Sequence, residues 1–172
     1  MLIKSTSRKD IKAFRQLLQY VFQKEKQGPE PQVVLTQNLL GQDISEWQKE
    51  FLQNEQKRLS KRRNSIRVFH EIMSFAPEDT PHLSQAIIND LVHQYLERRA
   101  PQALALAVIH QDTEHMHVHL LISGITYRSG KSTSISKSDL AGIKKELEEL
   151  QREKYPMLVH SLALDKVKKK AA

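Results

Sequence analysis

The sequence predicts an α+β domain: a central, mainly antiparallel β-sheet flanked by helices. Three observations carry that prediction. Segments of strand and helix period alternate in the order β-α-β-α-β-α-β-β-α. Two strands adjoin near the middle of the chain with almost nothing between them, which is a hairpin and hence an antiparallel pair. The chain of 172 residues suits a single domain, and no apolar run approaches the roughly 20 residues of a membrane helix.

Leu2 to Thr6 is short and β-compatible. Between Lys9 and Lys24, Phe14, Leu17, Leu18 and Val21 recur at helical spacing, so this segment is an amphipathic helix. The run Gln27-Gly28-Pro29-Glu30-Pro31 breaks it, and Val33-Val34-Leu35-Thr36 marks a strand within Gln32 to Leu39. Asp43 or Ser45 can cap a second helix over Glu46 to Arg63, with Trp47, Phe51 and Leu59 apolar and the basic residues Arg58, Lys61, Arg62 and Arg63 at its end. Ser65 to Phe75 reads as a strand that stops before Ala76-Pro77. Ser84 opens a helix to Arg99, and Ala103–Asp112 and His115–Ile125 form the hairpin. Ser136 and Asp139 have the spacing of a capping box for the last helix, which Pro156 ends near Tyr155. Residues 1–160 form the expected domain, and the basic 161–172 segment is expected to be a flexible tail.

Cysteine is absent, which excludes disulfides, thiolate metal ligands and a cysteine nucleophile, and fits a reducing compartment. The N-terminus has no signal-peptide pattern. The expectation is a soluble, cytoplasmic protein without membrane insertion. The net charge of +7 is unevenly placed: residues 1–70 hold 14 Lys/Arg against 7 Asp/Glu, and residues 71–172 hold 13 of each. An excess confined to the first part of the chain suggests a polyanionic partner such as nucleic acid.

Four of the eight histidines fall within ten residues, His110-Gln111-Asp112-Thr113-Glu114-His115-Met116-His117-Val118-His119. In a strand, His115, His117 and His119 share one face while Met116, Val118 and Leu120 share the other. If Thr113 and Glu114 form a two-residue turn, His110 lies opposite His117 and Asp112 opposite His115. Directly opposed Cβ atoms sit about 4.5–5.5 Å apart. Three imidazoles, from His110, His117 and His119, can therefore converge on one metal ion and leave coordination positions for substrate oxygens. Asp112 is placed to orient a ligand by accepting its other ring N–H. His115 is equally consistent with a substrate contact or an exposed side chain. His70, His82, His93 and His160 lack such partners; His70 could point at the same sheet face as the cluster, but a core or surface position accounts for it better.

Without cysteine, covalent chemistry on a phosphodiester leaves tyrosine as the nucleophile to weigh. Tyr20 lies about 120° around its helix from the apolar stripe. Tyr95 falls near the apolar face of its helix, Tyr127 near a turn, and Tyr155 at the end of the last helix, where it rivals Tyr20.

These residues resemble a relaxase, a mobilisation nuclease of the HUH (histidine-hydrophobic-histidine) superfamily, of the mobilisation-protein A type. His117-Val118-His119 matches the HUH pair, and His110-x-Asp112-x-x-His115-x-His117-x-His119 matches the wider metal motif. Further matches are Leu2-Ile3-Lys4-Ser5, Phe14-x-x-Leu17-Leu18-x-Tyr20, and His70-Glu71-Ile72-Met73-Ser74-Phe75 ahead of Glu78-Asp79.

The resemblance implies an HUH relaxase-like fold and a metal-dependent DNA strand transferase. Tyr20 would attack one phosphate at a transfer origin, leaving a 5′-phosphotyrosyl link and a free 3′-hydroxyl that allow religation. His110, His117 and His119 would hold Mg²⁺ or Mn²⁺, with other divalent ions admissible, and Asp112 and His115 would support them. Arg8, Lys9, Arg62, Arg63 and Lys131 are the candidate DNA contacts. The implied partners are single-stranded or supercoiled origin DNA, accessory mobilisation proteins and a coupling protein, in moving a plasmid or transposable element. Relaxases often carry an asparagine four residues after the last histidine, where this chain has Ser123. They also commonly continue into further regions, so the chain is expected to be a nuclease domain or a compact member. Two alternatives stay open: a rolling-circle initiator or transposase-type HUH enzyme using Tyr155, and a non-catalytic, metal-containing DNA-binding module.

Overall fold

The computed structural model describes residues 1–23, 32–111 and 116–162. Its elements follow the expected order: β1 (Leu2–Arg8), α1 (Ala13–Val21), β2 (Gln32–Gln37), α2 (Ile44–Gln56), β3 (Val68–Ser74), α3 (Gln85–Arg99), β4 (Ala103–Gln111), β5 (Met116–Thr126) and α4 (Lys137–Lys154), with a 3₁₀ turn at Pro77–His82 before α3. The five strands are ordered β1-β3-β5-β4-β2, and all four pairings are antiparallel.

Both faces of the central strands are covered. On one face, α3 and α4 pack Leu91, Tyr95, Leu96 and Leu147 over Met73, Ala105, Val118, Leu120 and Ile122. On the other, α1 and α2 pack Phe14, Leu17, Leu18, Trp47 and Phe51 over Val68, Leu106, Val108 and Leu121. This double coverage is why β5 reads as a nearly continuous apolar run once past its histidines. A buried cluster joins the α3 side together. The Glu71 carboxylate accepts from Tyr95 Oη at 2.5 Å, Ser5 Oγ at 2.8 Å and Arg99 Nε at 3.1 Å, tying β1, β3 and α3.

The helices start where capping chemistry places them. The side chains of Asp43, Ser84 and Ser136 accept backbone N–H groups of α2, α3 and α4, and Ser136 with Asp139 forms a reciprocal capping box. Two helices are shorter than their periodicity implies. Asp10 makes a turn by accepting the Lys12 N–H, and α1 begins only at Ala13. α2 ends at Gln56 instead of Arg63, because Arg58 folds back onto Glu55 and the Ile66 carbonyl while the Leu59 N–H bonds Gly130 O. The basic residues 61–63 therefore lie on a loop, and Leu59 is 71% exposed.

At the other end of the chain, the buried Asp79 carboxylate accepts the backbone N–H groups of His160 and Ser161. The fold thus holds the chain through Ser161, and the rest of the expected basic tail beyond residue 162 lies outside the described residues.

Candidate active site

The register of the sheet builds the site. His110 of β4 lies opposite His117 of β5, with Gln111 opposite Met116, and Ile72 of β3 lies opposite His119. Directly opposed residues share a face. His110, His117, His119 and His70 thus stand on the α1/α2 face of the sheet, beyond the apolar patch that those helices cover. One ring nitrogen from each of His110, His117 and His119 lies within 4.8 Å of the others. Asp112 and His115 lie outside the described residues.

Each ring is held by a specific partner or stack. His110 Nε2 donates to the carbonyl of Val21 at 2.5 Å. Val21 is the last residue of α1, so this bond satisfies a carbonyl that the helix end leaves open and ties the helix of Tyr20 to the histidine cluster. It also sets the tautomer, leaving His110 Nδ1 with its lone pair. His117 packs against both His110 and His119, with centroids 5.5 and 4.8 Å away. His119 Nδ1 is 2.8 Å from His70 Nε2, and the two ring planes are nearly parallel, 17° apart. His119 Nε2 is buried with no hydrogen-bond partner among the described residues.

An orphaned imidazole nitrogen facing two other imidazoles is what a divalent cation would satisfy, so these residues fit a metal site. Burial, reinforced by the neighbouring imidazoles, pushes the His119 pKa down to about 3. Burial and then the Arg8 charge also lower that of His70. Both rings are therefore neutral at physiological pH, the state in which imidazole binds a metal.

Tyr20 stands beside this cluster. Its ring meets His119 edge-on at 5.7 Å and His70 at 6.1 Å between centroids, and the side chain is 55% exposed. Tyr20, His70, Arg8, Gln16 and Leu17 line a cavity of about 450 Å³. The other tyrosines are elsewhere. Tyr155 donates its hydroxyl to Asp90 at 2.7 Å, on the α3/α4 side of the sheet. Tyr95 is buried against Glu71 on that same side, and Tyr127 pairs with Arg128 past the far end of β5.

The candidate DNA contacts divide in the same way. Arg8 lies in the cavity with Tyr20, and Lys9 follows it as an exposed residue. Arg62, Arg63 and Lys131 are exposed at the end of the sheet remote from His117, where the Leu59–Gly130 hydrogen bond joins their two loops.

A model of the MobA/VirD2-like relaxase nuclease domain matches residues 20–155, most of the chain and all of the histidine cluster. The chain belongs to that relaxase family. A solved structure, the MobM relaxase domain (MOBV; Mob_Pre) bound to plasmid pMV158 oriT DNA with Mn, matches the relaxase with a TM-score of 0.60. It covers 90% of this chain and 87% of the other at 13% identity, so the likeness speaks for the fold. No curated protein sequence matches the chain.

Two site features of the relaxase were given no role from its sequence. His70 joins the cluster because β3 pairs with β5, a long-range pairing that no local pattern predicts. Ser123, where an asparagine was expected, accepts a hydrogen bond from Asn54 of α2 at 3.0 Å, so an amide reaches that strand position from another element.

Proposed function

We propose that this relaxase nicks one strand of origin-of-transfer DNA using Tyr20 as nucleophile, with His110, His117 and His119 as the ligands of a divalent cation. The observation that carries the reading is the edge-on contact of the exposed Tyr20 ring with His119, whose inner nitrogen is buried without a hydrogen-bond partner among the described residues. The Tyr20 oxygen forms a bond to the scissile phosphorus while the bond from phosphorus to the 3′ oxygen breaks. The phenol gives up its proton and the departing oxygen takes one up. One phosphodiester replaces another, so the reverse step reseals the strand without a nucleotide cofactor.

A cation in the histidine cluster supplies positive charge to the phosphate oxygens. His70 is the residue that would keep His119 usable: a proton on His119 Nδ1, donated to His70 Nε2 at 2.8 Å, leaves the Nε2 lone pair for the cluster. Arg8 adds charge to the cavity in front of the phenol. Three nitrogen donors suit Mn²⁺ or another first-row ion better than Mg²⁺, which prefers oxygen ligands. The cellular setting that fits this chemistry is the cytoplasm, with accessory mobilisation proteins and a coupling protein handling the DNA.

The test is adduct formation. Wild-type protein with Mn²⁺ and a pool of single-stranded oligonucleotides should give a denaturant-resistant protein–DNA species that Tyr20→Phe does not give. Adduct that persists in Tyr20→Phe and disappears in Tyr155→Phe would favour the initiator or transposase arrangement. Binding without adduct in all three proteins would favour a DNA-binding module.

A further inference from the structure

The face of the sheet that carries the histidines is only partly covered. α1 and α2 sit over Val68, Leu106, Val108 and Leu121, and β1 beside them is open. The register places Leu2, Lys4, Thr6 and Arg8 on this open face, opposite Ser74, Ile72, His70 and Val68 in turn. Lys4, Ile72 and His119 therefore form one cross-sheet row, with Lys4 two strand spacings, about 9.5 Å, from His119 at the Cα level. Arg8 lies four residues further along β1, roughly 13 Å away, on the other side of the His70 row.

Some cations of the chain are neutralised within the fold. Arg58 and Arg67 share Glu55, Arg99 is paired with Glu71, and Lys154 with Asp90. Among the described residues, neither the Lys4 ammonium nor the Arg8 guanidinium makes a hydrogen bond or an ion pair. Between them the floor is mixed: Leu2 is half-exposed, Ile72 half-buried, and Thr6 and Ser74 carry hydroxyls. Two uncompensated cations flanking a site for phosphate chemistry, over a floor able to take sugars and bases, match a single DNA strand.

We propose that the open face of β1 is a rail for the DNA strand, on which Arg8 holds the backbone on one flank of the scissile phosphate and Lys4 holds it on the other. This inference rests on the tyrosine-relaxase reading and adds Lys4 as a positioning residue. A lysine on an edge strand also deters edge-to-edge pairing, but that role gives it no part in DNA binding.

The experiment measures DNA binding by fluorescence anisotropy across a salt series. It uses the oligonucleotide that forms adduct with the wild type, bound to Tyr20→Phe protein as background. Adding Lys4→Gln or Arg8→Gln should each weaken binding several-fold and flatten the log K against log salt slope by about 0.7, the loss of one single-strand phosphate contact. Lys145→Gln, on α4, should change neither. Trimming the oligonucleotide on one side of the nick should erase the effect of Lys4→Gln and spare that of Arg8→Gln, and trimming the other side should do the reverse. An unchanged affinity and slope in Lys4→Gln, with wild-type adduct still forming, overturns the rail and leaves the nuclease reading intact. So does loss of both effects on the same trimming. Failure of the wild type to form adduct with any oligonucleotide overturns the reading beneath it, and the rail with it.

Discussion

His119 is the most constrained side chain of the site, because its two ring nitrogens face different tasks. Nδ1 is engaged by His70, and Nε2 is buried without a partner. His119→Ala should abolish strand cleavage while leaving DNA affinity within about tenfold, since phosphate charge dominates binding; parallel cleavage and anisotropy assays check this. His70→Ala should instead weaken the cation, by about 10- to 100-fold in a Mn²⁺ titration followed by electron paramagnetic resonance, while the three ligands remain. The three clustered histidines were legible in the sequence. Period-two strands joined by a tight turn put 110 opposite 117, and the structure has that register. For His70 the shared sheet face was legible but its place beside His119 was not, because that partner is 49 residues away and depends on which strand lies beside β5. The Asn54 partner of Ser123 carried no signal either, since that amide comes from α2.

Elements hold the site through a few polar ties. The Glu71–Arg99 pair, both side chains essentially buried, joins β3 to α3 directly behind the His70 strand position. Arg99→Met should cost about 3–5 kcal/mol in urea unfolding, because it strands a buried carboxylate. The clasp between α3 and α4 is weaker and partly exposed. Burial alone would raise the Asp90 pKa, but hydrogen bonds from Tyr155 and Lys154 outweigh it and hold the carboxyl below its usual range. A lowered carboxyl pKa contributes stability above the unfolded value near 3.9, and that contribution fades as pH falls through the folded value. Tyr155→Phe should therefore cost about 1 kcal/mol at neutral pH and less in acid, measured by thermal melts, with adduct formation unchanged.

Helix starts at Ser84 and Ser136 were readable from their caps. The end of α2 was not, because a competing set of bonds from Arg58 and Leu59 ends it.

At the scale of the molecule, the sheet separates two jobs. Its α3/α4 face is a closed core, whereas the other face is covered by α1 and α2 only in part, leaving β1 open and Tyr20 exposed beside the histidine cluster. The uneven charge along the sequence pointed to a polyanion but could not say where it lies; pairing of β1 with β3 brings Arg8 to the cavity. Among the described residues no helix is long and apolar enough to cross a membrane. In the proposed reaction a phenol on α1 takes the DNA onto itself beside the histidine cluster. Mass spectrometry of the protease-digested covalent adduct tests it most directly. A 5′-phosphonucleotide is expected on the peptide containing Tyr20; a nucleotide on the peptide containing Tyr155, or on any histidine, would contradict Tyr20 as the nucleophile.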